Sequence, residues 1–258
     1  MRPTGELHLG NYFGALKRWA EIQNDYDCYW MVADLHSLTT LESTADIEKT
    51  TLEMVALWLA AGLEPEKSTI FLQSAVPEHG ELAAIFASLL PVSMLELNPT
   101  YKEMVAQHPK SGSFGLLNYP VLQAADILLY RASRVPVGRD QEPHIEITRE
   151  IARRFNNRFG EFFAEPHALF EKIPKIYSLK DPAKKMSKSG SPDSYVSLLD
   201  DEKTVREKIK GAVTDSGNEI MYDPDNKPAL AHLIELLHLA SGKSVEDIVS
   251  EHAGAGYA

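Results

Sequence analysis

Apolar runs and amphipathic stretches alternate along the first two thirds of the chain. Residues 27–33 and 69–72 are short, nearly continuous apolar runs, which are typical of strands buried in a parallel sheet. Between them, residues 44–62 carry apolar side chains at helical spacing, and Gly62 marks the end of the predicted helix. This alternation of strand and helix predicts an α/β fold with a doubly wound parallel sheet.

The later pattern continues and then changes. Residues 91–107 predict two helical pieces that meet at Pro99, followed by a loop over 108–113. A helix, a short strand, a long helix and an irregular strand then follow, over 115–132, 135–138, 140–159 and 172–179. Beyond residue 190 only helices are predicted, over 200–213, 227–240 and 244–252. The pattern therefore predicts an α/β domain over 1–190 and an all-helical domain over 191–258.

Composition and charge narrow the class of protein. The 258 residues are 44% hydrophobic and 24% charged, as in a globular protein. The net charge of −11 excludes a surface that binds nucleic acid as a whole, so RNA contacts need local basic patches, such as the arginines within 149–158 or the lysines within 180–188. The single cysteine, Cys28, excludes an intrachain disulfide and indicates the reducing cytosol. Without an apolar run of 18 residues, no membrane span is predicted.

A polar turn precedes the first predicted helix. Gly5 belongs to a turn signal, and apolar residues at helical spacing begin just after Asn11. The free N–H groups at the start of a helix bind phosphate, and Gly10 allows a ligand to approach the backbone closely. The side chains of His8 and Asn11 can donate hydrogen bonds to phosphate oxygens. Taken alone, the stretch fits an ordinary N-terminal helix with a surface histidine equally well.

One carboxylate stands out because its neighbours are apolar. In the predicted helix over 115–132, Tyr119, Gln123 and Asp126 share one face. A buried carboxylate needs a partner, which is either an N–H or O–H group of a ligand or a structural cap or salt bridge. His36 follows the strand over 27–33, where the carboxyl ends of parallel strands bind ligands. By itself His36 fits a structural loop histidine.

A second short stretch allows the N-terminal turn to be interpreted. The loop over 184–190 contains three lysines and the sequence Lys-Met-Ser-Lys-Ser at 185–189. Such a basic loop of small residues can close on an anion, although a lysine run alone is usually just solvated. Together with His-Leu-Gly-Asn at 8–11, it resembles the two signatures of class I aminoacyl-tRNA synthetases. The resemblance implies that both stretches hold the phosphates of one ATP.

The resemblance is most specific to the bacterial tryptophanyl-tRNA synthetases. Five segments carry it, at residues 2–12, 34–37, 115–130, 135–141 and 185–189. It implies a Rossmann-like catalytic domain with a helical domain that contacts tRNA. It also implies activation of tryptophan by ATP, with Mg²⁺ bound to the ATP, transfer of the amino acid to its tRNA, and a cytoplasmic homodimer. The apolar helices over 81–97 are a candidate for the dimer interface.

The resemblance also assigns residues. Asp126 would accept the indole N–H, and Tyr119 and Gln141 would hold the substrate amino group. The remaining residues of the amino-acid pocket would be His36, Gln123, Val135 and Val137. The ATP site would comprise Thr4, Gly5, His8, Gly10, Asn11, Asp140, Ile176, Tyr177, Lys185, Met186, Ser187 and Lys188. Asp140 would lie near the ribose, and the residues acting on the phosphates would be His8, Asn11, Lys185 and Lys188.

The chain departs from the family pattern in three places. Gln123 stands where the family usually has methionine, and Tyr-x-x-x-Gln-x-x-Asp resembles the tyrosine enzyme, a sister family with the same fold. Lys102 is followed by Met104, where relatives carry a second phosphate lysine. Compared with the family, the chain is expected to lack the first strand and the last helices, which would impair tRNA charging.

Three alternatives to a tryptophan enzyme remain. Tyrosine specificity is suggested by Gln123. A non-catalytic paralogue that keeps the fold is suggested by the shortened ends, but both intact phosphate-binding stretches argue against it. A generic nucleotidylyltransferase shares the sheet and the N-terminal turn, but it does not explain the Lys-Met-Ser-Lys-Ser loop.

Overall fold

A computed structural model describes residues 1–98, 101–102, 105–106, 112–170 and 174–256. Its strands are β1 (Cys28–Val32), β2 (Ser68–Leu72), β3 (Arg134–Val137) and β4 (His167–Phe170). In the first half of the chain, the helices whose bounds are described are α1 (Leu9–Asn11), α2 (Lys17–Ile22), α3 (Asp34–Ser37), α4 (Ile47–Ala60), α5 (Glu78–Ala87), α6 (Val92–Glu96) and α7 (Phe114–Leu128). The later helices are α8 (Glu142–Phe159), α9 (Glu202–Lys210), α10 (Pro228–Ser241) and α11 (Val245–Glu251). A π-helical turn (Tyr12–Leu16) joins α1 to α2.

The described strands form two pairs. β1 pairs with β2, and β3 pairs with β4, in two two-stranded sheets among the described residues. The second pair is parallel, with Arg134 opposite His167 and Val137 opposite Phe170. The apolar runs predicted as strands at 27–33 and 69–72 are confirmed as β1 and β2. β4 was not predicted, because four residues after a proline give too short a pattern.

Contacts within the chain divide it into two compact units. The first unit comprises Met1–Thr4, Tyr29–Thr51 and Ile70–Lys172, and the second comprises Gly5–Cys28, Leu52–Thr69 and Ile173–Ala258. The chain therefore passes between the units several times, whereas the domain boundary predicted after residue 190 divides it once. That boundary stays a prediction.

The first unit is built around packed helices. α5, α7 and α8 contribute Phe86, Val121 and Ile151, all fully buried, to one apolar cluster. Small residues on α7, including Ala124 and Ala125, are also fully buried, which lets neighbouring backbones approach closely. This cluster fixes α7, the helix that carries Tyr119 and Asp126.

Two of the apolar clusters formed by described residues of the second unit involve α10. One joins Phe13, which precedes α2, to Ile176, Met186 and Val196 around the lysine loop and to Leu236 of α10. The other packs α10 against α11 through residues that include Ile248. Within the described parts of the chain, none of the helices combines the length and the apolar character needed to cross a membrane.

Some predictions concern residues that lie outside the described ones. Of the two helical pieces predicted over 91–107, the first is present as α6, while Pro99, where they were expected to meet, is outside the described residues. The same holds for Met104 and for most of the loop over 108–113. Residues 172 and 173, the start of the irregular strand predicted over 172–179, are also outside.

Candidate active site

The N-terminal turn of the second unit is closed by reciprocal hydrogen bonds. The backbone N–H of Gly10 donates to Nδ1 of His8 over 3.1 Å, and the backbone N–H of His8 donates to Oδ1 of Asn11 over 3.0 Å. Because Oδ1 of Asn11 is used as an acceptor, its NH₂ group is left as the donor. A Cβ atom at Gly10 would lie 2.8 Å from Cε1 of His8, so only glycine leaves room for this ring.

The same contacts determine the protonation of His8. Since Nδ1 accepts a hydrogen bond, the proton of a neutral ring lies on Nε2, which becomes a donor. Burial lowers the pKa of His8, and the charge of Lys188 lowers it further. His8 is therefore a neutral hydrogen-bond donor at neutral pH, while positive charge in this region comes from lysine.

The lysine loop reaches this turn. A Cβ atom at Gly5 would lie 3.4 Å from Nζ of Lys188, and Gly5 has a φ of +121°, which favours glycine. Lys185 is exposed and forms an antiparallel bridge with Tyr177. Lys188 therefore converges within one unit with Gly5 and His8, which precede it in the chain by more than 175 residues.

A segment beyond the lysine loop supports the turn. The backbone N–H of Leu9 donates to the carbonyl of Val196 over 3.0 Å, and His8 is bridged to Ser197. Asp200 accepts from the Ser197 N–H over 2.8 Å and pairs with Lys208 over 2.6 Å, and both charged side chains are almost buried. This support was not predicted, because pairing across about 190 residues leaves no local pattern in the sequence.

A histidine of α10 contacts the segment that precedes the lysine loop. Nε2 of the buried His232 lies 2.9 Å from the carbonyl oxygen and 3.2 Å from the backbone nitrogen of Tyr177, and Met186 donates its N–H to Ile176 over 2.8 Å. Ile176 and Met186, predicted as part of the ATP site, are almost fully buried in the core of this unit, whereas Tyr177 is half-buried and Ser187 is exposed. Sequence reasoning did not identify His232.

In the first unit, Asp126 is surrounded by hydrogen-bond donors. His36 lies 2.7 Å from its Oδ2, and His79 lies 2.7 Å from its Oδ1, which also accepts from the amide of Gln73 over 2.8 Å. Nε2 of His79 is 2.9 Å from the hydroxyl of Tyr130. These five residues are called the Asp126 cluster below. The carboxylate predicted to be buried is 8% exposed.

The cluster keeps Asp126 ionised in spite of its burial. Burial by itself would raise the pKa of Asp126, but hydrogen bonds from His36, His79 and Gln73 and the electrostatic interaction with His36 lower it below the ordinary value. His36 and Gln73 follow β1 and β2, so the ends of two strands supply two of the donors. Sequence reasoning identified Asp126 and His36, but it did not identify His79, which looks like an ordinary residue of an apolar helix.

A second polar chain in the first unit joins two of the predicted ligands of the amino group. The Tyr119 hydroxyl is hydrogen-bonded to Nε2 of His144, and Nδ1 of His144 lies 3.0 Å from Oε1 of Gln141. Because Oε1 of Gln141 can only accept, His144 carries its proton on Nδ1, and Nε2 accepts from Tyr119. Burial lowers the pKa of His144, although Asp140 acts in the opposite direction. The Tyr119 hydroxyl thus gives its proton to His144, and its oxygen can act as an acceptor.

The other predicted residues of the pocket lie in the same unit. Val135 and Val137 are half-buried on β3, and Gln141 donates its amide to Asp140 over 2.8 Å. The His36 ring packs edge-on against Tyr119, with centroids 6.4 Å apart, so it borders both polar groups. Gln123 is half-buried on α7, and its side chain forms no hydrogen bond with the described residues. Thr4 belongs to the first unit, although it precedes Gly5 directly.

The arginines considered for RNA binding are mostly paired within the chain. Arg153 lies within 3.2 Å of three glutamates, and Arg149 and Arg154 each pair with a glutamate one turn away on α8. Arg158 instead lies over the Phe159 ring. These contacts favour a solvated helix face over a preformed phosphate-binding surface.

Comparison with known proteins decides the family. The sequence model of one protein family, the class I tRNA synthetases for tryptophan and tyrosine, matches residues 1–255 of this chain. The chain belongs to this family. It is 44% identical to the tryptophan–tRNA ligase of Caldanaerobacter subterraneus, over all of this chain and 79% of that protein. It is also 44% identical to the tryptophan–tRNA ligase of Bacillus anthracis, over all of this chain and 78% of that protein.

A solved structure agrees with these relatives. The tryptophanyl-tRNA synthetase of Campylobacter jejuni, crystallised with ADP and tryptophan, superposes with a TM-score of 0.85 at 35% identity, covering all of this chain and 79% of that one. The predicted fold class, a Rossmann-like α/β domain followed by helices, is thereby confirmed. The resemblance found in the five short segments is confirmed as well.

The close contact between Gly10 and the His8 ring predicts that adding a methyl group at position 10 lowers activity. Gly10→Ala displaces the His8 ring, and a misplaced group near the reacting phosphates costs about 10²-fold in rate. We expect this loss in pyrophosphate exchange, the partial reaction of the family. The matched control is Gly80→Ala in α5, where a Cβ atom meets nothing within 4 Å. Equal rates for the two variants would contradict this account of Gly10.

The buried histidines predict a pH dependence of stability. His8, His144 and His232 have lowered pKa values in the folded chain, mainly because of burial. The unfolded chain therefore binds more protons just below about pH 6.5, and the free energy of unfolding falls as the pH drops from 7.5 to 5.5. Urea unfolding at both pH values measures this. His144→Gln should reduce the decrease, and an unchanged pH dependence would contradict the assignment.

Proposed function

We propose that this chain activates L-tryptophan with ATP and transfers it to its tRNA. Tryptophan–tRNA ligases at 44% identity match the whole chain, and this observation carries the proposal. The geometry supports it, because the second unit holds residues suited to the phosphates of ATP and the first unit holds residues suited to the amino acid. Tyrosine as the substrate is less well supported, since the relatives with high identity are tryptophan enzymes.

In the second unit, neutral donors and lysines are suited to phosphates. Nε2–H of His8 and the amide of Asn11 can donate to phosphate oxygens, and Lys188 supplies charge beside them. In the reaction, an oxygen of the amino-acid carboxylate attacks the α-phosphorus of ATP, and pyrophosphate leaves with the bond electrons. Positioned donors of this kind stabilise the charge that develops on the phosphates. Closure of the lysine loop brings Lys185 and Lys188 onto the leaving pyrophosphate.

In the first unit, the polar groups are suited to an amino acid with a ring N–H. Asp126 is an ionised acceptor, and the oxygens of Tyr119 and Gln141 are oriented as acceptors for an ammonium group. Val135 and Val137 provide apolar surface. Such a pocket disfavours a phenylalanine side chain, because the one acceptor position of Asp126 that the chain leaves open would stay empty, a loss of about 10- to 100-fold in specificity.

Magnesium fits this site as an ion that is coordinated by the phosphates of ATP. Among the described residues, no group of histidine, cysteine or acidic side chains is arranged to hold a metal ion. The metal would therefore be bound through phosphate oxygens, where it neutralises charge, while His8, Asn11 and the lysines donate to the remaining oxygens. The chain itself contributes positioning and hydrogen bonds.

The second step transfers the amino acid to RNA. A hydroxyl of the 3′-terminal ribose attacks the carbonyl carbon of the adenylate, and AMP leaves. This catalytic role separates the proposal from a non-catalytic paralogue, which has no need of residues that hold the leaving pyrophosphate. The single cysteine supports the cytosol as the compartment.

We also propose that the chain forms a homodimer. Large apolar side chains on α5, α6 and α7 and in between are exposed, at 47% for Ile85, 58% for Val92, 67% for Leu97 and 73% for Phe114. Exposed large apolar side chains near one another in sequence favour an interaction site, and three of these four lie in the apolar segment over 81–97 that was suggested as the interface.

Tryptophan-dependent exchange of pyrophosphate into ATP tests the activation step. We expect exchange with L-tryptophan and little or none with L-tyrosine. Lys188→Ala removes a charged donor and should lower the rate roughly 10²–10³-fold. The control is Lys184→Ala in the same loop, because Lys184 is exposed and pairs with Asp181 at 2.8 Å. Exchange that depends on tyrosine instead, or equal losses in the two variants, would refute the proposal.

The oligomeric state tests the dimer. Light scattering should give twice the chain mass of 28.7 kDa, and Leu97→Asp should give the monomer because a charge cannot be buried in an apolar interface. Leu52→Asp serves as the control, since Leu52 is 65% exposed on α4, outside the proposed interface. A monomeric unmodified chain would rule out the dimer.

A further inference from the structure

The acceptor positions of Asp126 are almost fully used within the chain. An ionised carboxylate has two oxygens and about four lone-pair positions. Oδ1 accepts from both Gln73 and His79, over 2.8 Å and 2.7 Å, so its two positions are filled. Oδ2 accepts from His36 over 2.7 Å, and no other described residue is bonded to it. One acceptor position therefore remains, and it lies on Oδ2.

His79 can only act as a donor towards Asp126. Asp126 is ionised and offers no proton, so the hydrogen of this bond is on Nδ1 of His79. On the opposite side of the ring, Nε2 is bonded to the Tyr130 hydroxyl over 2.9 Å. Phe71 stacks on the ring, with centroids 6.0 Å apart and planes inclined by 19°. Both ring nitrogens and one ring face are thus engaged, and the fully buried side chain cannot turn away.

We propose that His79, together with Gln73, is a positioning residue that sets the specificity of the amino-acid pocket. By occupying Oδ1, these two donors hold the carboxylate in one orientation and present a single acceptor on Oδ2. A ligand ring with one N–H donor fills that position. A ring without such a donor leaves it empty in a buried environment. This inference rests on the proposed activation of tryptophan.

The inference differs from a general requirement for Asp126. If His79 only filled space, its replacement would lower stability and affect all substrates alike. If it positions Asp126, its replacement lets the carboxylate rotate towards the vacated side and weakens the hydrogen bond to the substrate. The loss then falls on substrates with a ring N–H and spares those without one.

Two substrates of equal size separate these possibilities. L-Tryptophan carries the ring N–H, and β-(3-benzothienyl)-L-alanine has sulfur in its place. The ratio of their kcat/KM values in pyrophosphate exchange measures selection for the N–H group. Two variants keep a side-chain amide at position 79. His79→Asn places it near the position of Nδ1, facing Asp126, and His79→Gln places it near the position of Nε2, facing Tyr130.

We expect His79→Gln to lower the ratio about 10- to 100-fold, the worth of one hydrogen bond to a charged group. The change should appear mainly as a higher KM for tryptophan, with little effect on benzothienylalanine. His79→Asn should retain most of the ratio of the unmodified enzyme. Thermal unfolding of both variants shows whether the fold is kept, and the ratio is independent of the fraction of folded enzyme.

The outcomes are distinct. A ratio unchanged in His79→Gln, or lowered equally in both variants, overturns the inference and leaves the proposed function intact. An unmodified chain whose exchange does not respond to tryptophan overturns both. Selective loss in His79→Gln with retention in His79→Asn supports the positioning role.

Discussion

A buried anion constrains the first unit more than any other group. Asp126 is held among apolar helices, where an unpartnered carboxylate would take up a proton or destabilise the fold. Three donors from three different segments prevent this: His36 after β1, Gln73 after β2 and His79 from α5. The placement of both strand ends relative to α7 is therefore tied to one carboxylate. Packing of α5, α7 and α8 provides the rigid surroundings that make this placement reproducible.

In the second unit, the N-terminal turn is held in place mainly by contacts to the backbone. The N-terminal turn is closed by its own side chains and is then paired with the segment around Val196, which a nearly buried Asp200–Lys208 ion pair stabilises. The side chain of Lys188 lies against Gly5 of the turn. The donors of the proposed nucleotide site are thus fixed by hydrogen bonds to the backbone, while the positive charge is carried by the lysine loop. This division suits a site in which the loop has to move during catalysis.

The sequence predicted the parts of the molecule that depend on local patterns. The runs that became β1 and β2, the helices that became α4, α7 and α10, and the signatures at 8–11 and 185–189 all leave periodic or compositional signals. The buried histidines do not, because a histidine within a helix looks the same whether it faces solvent or a carboxylate. His79, His144 and His232 were therefore missed. Asp200 and Lys208 were missed because their importance comes from pairing across the length of the chain.

The position of His144 has a consequence for how the substrate ammonium would be recognised. One imidazole ring bonds both Tyr119 and Gln141, so neither acceptor can reorient without disturbing the other. The two therefore behave as a single thermodynamic element. In a double-mutant cycle, removing the second acceptor would cost far less than removing the first, because the loss of one already releases the ring that orders its counterpart.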